Sequence, residues 1–106
     1  MPRQMTVPTL AILAALLVDV DQPHYGLELA KVAGLPSGTI YPALARLERE
    51  RWVESERETI DPAVAGRRPR RYYRLTGEGE RIARAELAST VKRLQPIVGR
   101  LGTAPA

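Results

Sequence analysis

A chain of 106 residues without cysteine is long enough for one domain around one core, and it excludes disulfides, thiolate catalysis and cysteine zinc sites. Its formal net charge is only +4, but the placement is uneven: six acids lie between positions 48 and 61, while five arginines and no acid lie between 67 and 74. Aromatic residues are limited to Trp52 and four tyrosines, so the core must be built from Leu, Ile, Val and Ala, and so small a subunit gains from pairing with a second copy. The apolar run at 10–18 falls far short of the roughly 20 residues needed to cross a bilayer. No small-residue cleavage pattern follows it, so neither a membrane span nor a signal peptide is expected, and the cytoplasm is the expected location.

Taken in order, Thr6 is a suitable N-cap for a first helix that tolerates Pro8 in its first turn and runs to about residue 18. Leu10, Leu13, Leu17 and Val20 share one side, and Ile12 and Leu16 widen the apolar arc. Such a helix is either an ordinary core helix or one that also meets a second subunit. Residues 19–24 read as a turn, with Pro23 holding Gln22 extended. A short second helix is expected over 25–32, closed by Gly34, and a third begins just after Pro36. Helix, a short glycine-containing turn and helix is the helix-turn-helix spacing.

On the third helix Ile40, Leu44, Leu47 and Arg51 align on one side, and Gly38, Pro42, Ala45 and Arg49 on the other. Thr39 and Arg46 occupy one flank, Ser37 and Tyr41 the second. Gly and Pro cost helix propensity, so a small outward face makes sense where something approaches the backbone closely, and a major groove has the right width. Residues 52–59 alternate as an exposed strand, residues 70–75 as its partner, and 60–69 form a loop too long for a tight turn. Thr76 then caps a last helix over 77–95, on which Ala83, Leu87, Val91 and Leu94 form a stripe longer than the short helices it would cover, which suggests a second copy of the chain. Pro96 and the following Gly/Pro/Ala residues are expected to end ordered structure, leaving 96–106 as a disordered tail.

The stretches YGLELAKVAGLPSGTIYPALARLERERWVES and RRPRRYYRLTGEGERIARAEL resemble the PadR-like family of winged-helix transcription regulators. The matching pieces are the Gly-Thr-aliphatic-Tyr-Pro-x-Leu-x-Arg-Leu-Glu run at 38–48, the Trp52–Val53 opening of the wing, and the Arg-Arg-Tyr-Tyr-x-Leu-Thr run at 70–76. The resemblance implies an α+β fold: a winged helix-turn-helix over 1–76, with a three-helix core and a two-stranded antiparallel wing, followed by a C-terminal dimerisation helix over 77–95. It also implies a homodimeric repressor of double-stranded DNA, with an interface formed by the last and first helices (Leu10, Leu13, Leu17, Ala83, Leu87, Val91 and Leu94). A small hydrophobic or phenolic effector near that interface is implied as well, and a nucleoid-associated place in the cytoplasm. The chain departs from the family pattern in its single short last helix and its few aromatics.

The expected DNA contacts are Ser37, Thr39, Tyr41, Pro42, Arg46 and Arg49 from the third helix, with Arg67, Arg68, Arg70 and Arg71 from the wing. Arg46 and Arg49 suit either guanine or phosphate, with phosphate favoured for Arg49 because it lies far from the helix start. The family gives the Tyr41 hydroxyl a backbone phosphate, while its place beside Pro42 also suits local packing. The wing arginines suit phosphate or the minor groove; the alternative is a solubilising loop held against the acidic strand. His24 has no partners that would make a metal site or a general base, and Ser37 has no Asp–His pair, so no enzyme and no cofactor are expected. The competing reading is a winged-helix module for protein–protein contact or dimerisation without specific DNA binding, since the fold hosts both roles. The arginine cluster beside a recognition helix free of acids until Glu48 favours DNA.

Overall fold

A computed structural model describes residues 5–102. Its elements in chain order are α1 (Val7–Leu17), β1 (His24–Tyr25), α2 (Gly26–Ala33), α3 (Ser37–Arg49), β2 (Val53–Arg57), α4 (Pro62–Ala65), β3 (Arg71–Leu75) and α5 (Gly77–Arg100). This is the expected winged helix-turn-helix with an added C-terminal helix.

The helix ends follow from local chemistry. The Thr6 hydroxyl accepts the Thr9 N–H at 3.2 Å, and the Thr76 hydroxyl accepts the Gly79 N–H at 3.0 Å, so each cap satisfies a donor that the first turn would otherwise leave open. Gly34, at φ 69°, ends α2: its N–H donates to the Lys31 carbonyl at 3.2 Å and that of Leu35 to the Ala30 carbonyl at 2.8 Å. The same pair of bonds ends α3, but the left-handed position there is held by Arg51 at φ 64°. The Trp52 N–H then reaches the Leu47 carbonyl at 3.1 Å and turns the chain directly into β2.

The sheet has the order β1-β3-β2 and is antiparallel throughout, with Val53 opposite Leu75, Arg57 opposite Arg71, and Tyr25 opposite Tyr72. β2 and β3 are the two strands expected of the wing, and a third, very short strand joins their sheet from His24, read as the end of a turn, and Tyr25, read as the start of the second helix. The loop between β2 and β3 contains the one-turn helix α4, capped by the Asp61 carboxylate on the Ala63 N–H at 3.0 Å.

One core joins all the layers. Ile12, Leu13 and Leu16 of α1, Leu29 of α2, Ile40, Leu44 and Leu47 of α3, Val53 of β2 and Ala83 of α5 lie in it, with Tyr73 and Leu75 closing its sheet side. α1 packs against both α2 and α5, so its broad apolar arc is covered from two directions by its own chain. For that reason Leu13 and Ala83, expected at a subunit interface, are fully buried inside a single protomer. Leu10, Leu17 and Leu87 are half-buried, and Val91 and Leu94 are exposed.

The last helix does not stop at residue 95 but continues through Pro96 to Arg100. Proline removes the N–H that would bond the Lys92 carbonyl, yet every residue from 91 to 102 is exposed, so water can satisfy that carbonyl. The part of the expected tail beyond Gly102 lies outside the described residues.

Candidate nucleic-acid interface

α3 buries Ile40, Ala43, Leu44 and Leu47, which fixes what its other sides present. Gly38, Ala45 and Arg49 lie outermost and are exposed. Ser37 and Tyr41 turn toward the wing, where they line one cleft with Lys31, Arg70 and Arg71. Thr39, Pro42 and Arg46 turn the other way and line a second cleft with Thr6, Pro8 and Thr9 at the start of α1. The exposed face of the helix is thus small at its centre and bounded by polar and basic groups on both flanks.

The Tyr41 ring depends on Gly26. A Cβ built at Gly26 would lie 2.5 Å from Tyr41 Cε1 and 2.9 Å from its hydroxyl oxygen. The absent side chain at the start of α2 is therefore the space in which this ring rests, with its hydroxyl at the cleft. Packing and a polar role coexist in this one residue.

The arginines expected to act together are in different states. Arg46 Nη2 donates to the Thr9 hydroxyl at 2.8 Å, which ties α3 to α1. Arg71 Nη1 donates to Ser55 Oγ at 3.0 Å, and that hydroxyl donates to Glu48 Oε2 at 2.8 Å, so a relay joins β3, β2 and the end of α3. Arg67 is turned inward onto Glu58, with Nη1 at 2.6 Å from Oε1 and Nη2 at 3.0 Å from Oε2. The Arg70 guanidinium lies over the Tyr25 ring, 5.5 Å from its centroid. Arg49 and Arg68 carry no side-chain hydrogen bond or ion pair among the described residues. Of the four wing arginines, Arg68 and Arg70 therefore offer the most open charge.

Glu58 is where the acidic strand and the basic loop meet, through Arg67. The Arg67 guanidinium, and next to it the Arg70 backbone N–H, hold the Glu58 carboxyl at about 2, well below its ordinary 4.5. A depressed carboxyl stabilises the folded form fully above its ordinary value, and that contribution fades as pH falls from about 4.5 toward about 2. Its bond to Glu58 is also the main reason the Tyr25 hydroxyl titrates above its usual range. Sequence pattern did not single out Lys31, Tyr25 or Glu58. The alternation of charge along β2 was the one available hint for Glu58, and it does not name the partner.

The model of the transcriptional regulator PadR-like family matches residues 12–85. The chain belongs to this family. The matched span takes in α2, α3, the whole wing and the start of α5. Among solved structures, this PadR-like chain is similar to a PadR-like transcription factor from Bacteroides fragilis, with 29% identity and a TM-score of 0.61 over 90% of this chain and 91% of that one. It is also similar to the PcaV transcriptional regulator from Streptomyces coelicolor, with 26% identity and a TM-score of 0.69 over 89% and 62% of the two chains. A Staphylococcus aureus MepR F27L mutant bound to an oligodeoxyribonucleotide shares the fold at 18% identity, with a TM-score of 0.66 over 87% and 62%. The chain spans 65% of another MepR mutant, G34K, and 63% of ZitR from Lactococcus lactis, so these relatives carry further structure of their own. A comparison with curated proteins returns no match. Among the described residues no helix is long and apolar enough to cross a membrane.

Proposed function

We propose that this PadR-like regulator is a homodimeric repressor that binds double-stranded DNA sequence-specifically, with α3 in the major groove and the wing tip along the phosphate backbone. The observation that carries this reading is the cleft shared by Ser37 and Tyr41 of α3 with Arg70 and Arg71 at the entry to β3. Recognition helix and basic wing thus open to one side, as a duplex requires. The small outer face of Gly38 and Ala45 lets the α3 backbone approach base edges, and the N–H groups of its first turn favour a phosphate. Arg49 lies beyond them, free to take a phosphate. Thr39, Pro42 and Arg46 lie on the α1 flank, where Arg46 reaches a base or phosphate only by leaving Thr9.

The dimer reading rests on the outer half of α5. Leu87, Val91, Leu94, Val98 and Leu101 recur at alternating spacings of four and three, the pattern of a helix that lies along another helix. Val91 is 58% exposed, Leu94 50%, Val98 49% and Leu101 68%, and so much apolar surface on one narrow face is unusual for a lone protomer. Leu10 and Leu17 of α1 are half-buried and keep apolar surface for the expected interface, while the fully buried Leu13 and Ala83 support it only from within. A symmetric pair of protomers would set two α3 helices in successive major grooves, with half-sites about 10 base pairs apart.

Selection of fragments by the purified protein from a random duplex pool, at a stated salt concentration, tests the reading. A two-fold-symmetric motif with half-sites about one helical turn apart is the expected result. A pool that stays random through successive rounds would leave the fold in place and remove sequence-specific DNA recognition.

A further inference from the structure

The loop carrying the open arginines leaves β2 and enters β3 past a single carboxylate. Glu58 Oε1 accepts from Arg67 Nη1 at 2.6 Å and from the Arg70 backbone N–H at 2.8 Å. Its Oε2 accepts from Arg67 Nη2 at 3.0 Å and from the Tyr25 hydroxyl at 3.1 Å. The Glu58 N–H in turn donates to the Arg70 carbonyl at 2.8 Å. Four donors fill the acceptor positions of an ionised carboxylate, and the side chain is only 12% exposed. They come from three places: β1, the loop, and the entry to β3.

An acid here cancels the charge of one arginine beside a surface meant for phosphate, which by itself weakens DNA binding. What it supplies in return is order. The two charge-assisted contacts to Arg67 close the base of the loop, and the bond to the Arg70 amide sets where the chain enters β3. Tyr25 is the residue just before α2, and its ring is also the surface on which the Arg70 guanidinium rests. The same carboxylate therefore connects the wing to the start of the helix-turn-helix.

We propose that Glu58 is a positioning residue for duplex binding: through Arg67, the Arg70 amide and the Tyr25 hydroxyl it holds the open Arg68 and Arg70 side chains at a set offset from α3. The proposal rests on the reading of the wing as a DNA contact. A wing ordered in advance pays no ordering entropy when the duplex arrives, whereas a loose loop of the same charge does.

The test uses the full chain and a fluorescent duplex titrated at several salt concentrations, together with amide hydrogen exchange on the free proteins. Glu58→Gln keeps every arginine but loses the ion pair; its affinity should fall about tenfold with the salt slope unchanged, because as many phosphates are still met. Exchange at the Arg70 amide and over 59–69 should quicken, while the core of α1 and α3 keeps its protection. Tyr25→Phe removes one oxygen and should move affinity and exchange in the same direction by a smaller factor, which decides the matter if Glu58→Gln fails to fold. Unchanged affinity in both variants overturns the proposal. So does a gain in affinity with a steeper salt slope, which would mean that Arg67 matters more as a free cation than as a strut. Arg68→Glu with Arg70→Glu tests the underlying reading separately: if that pair leaves affinity and slope unchanged, the wing is not a DNA contact at all.

Discussion

Gly79→Ala should destabilise the protein by about 3 kcal/mol, while Gly77→Ala, two residues earlier on the same helix, should be neutral or stabilising by up to about 1 kcal/mol. Both glycines lie in the first turn of α5, and alanine favours a helix equally at each. The difference is what a methyl group meets. At Gly77 nothing lies within 4 Å of a built Cβ. At Gly79 the Cβ would collide with the Trp52 carbonyl oxygen and lie 2.7 Å from its carbon and 2.9 Å from its Cα. These are backbone atoms and cannot rotate away. The same carbonyl accepts the Thr76 N–H at 3.0 Å, and the Thr76 hydroxyl donates to the Arg51 carbonyl at 2.7 Å, so the start of α5 is bound to the base of the wing. Relief would have to move the helix off the strand. Thermal unfolding of the two variants beside the parent checks this, with a drop of about 10 °C or more for Gly79→Ala. Equal midpoints for the two would show that α5 does not start against Trp52.

Reversing Arg68 and Arg70 together to glutamate should weaken binding to every duplex by roughly a hundredfold at moderate salt, and reduce the log–log salt slope by about 2. The two side chains are the open charges of the wing, so their loss removes counterion release without touching the outward face of α3 proposed to read bases. Sequence preference should therefore persist at the lower affinity. Reversal leaves the Arg70 amide bond to Glu58 intact, and neither side chain is buried, so stability should change little. Titration of matched specific and random duplexes across a salt series gives both numbers. Equal slopes for parent and variant would take the wing out of the account.

What could be read from the residues, and what could not, divides along a physical line. Caps at Thr6 and Thr76 and the left-handed stop at Gly34 are local chemistry, written within a few positions of where they act. The apolar side of α3 likewise follows from one helix's periodicity. Arg51 is the exception among the helix ends, because a positive φ at an arginine is imposed by the packing of Trp52 and Val53 and leaves no mark in composition. Strand β1 is too short for any alternation to register, and it exists because β3 has a free edge there.

Partners were harder still. Periodicity shows that Leu13 and Ala83 face something apolar, but not whether that is their own chain or another, and α5 laid across α1 decides for their own chain. Arg46 and Arg67 read as free cations because Thr9 is far away in sequence and Glu58 lies in a run of acids with no stated direction. Pro96 reads as a stop because proline usually is one, yet in a solvated helix the lost bond can go to water. A list of charged residues is therefore a poor guide to which charges remain available, and the site narrows once each is followed to its hydrogen bonds.

The most direct measurement of the central claim is amide chemical-shift mapping of the protein as a duplex recovered from the random pool is added. Changes concentrated in 37–49 and 67–71, saturating at one duplex per two chains, are the expected result. Changes confined to the outer half of α5, or spread weakly and without saturation, would contradict the claim that α3 and the wing grip the duplex together.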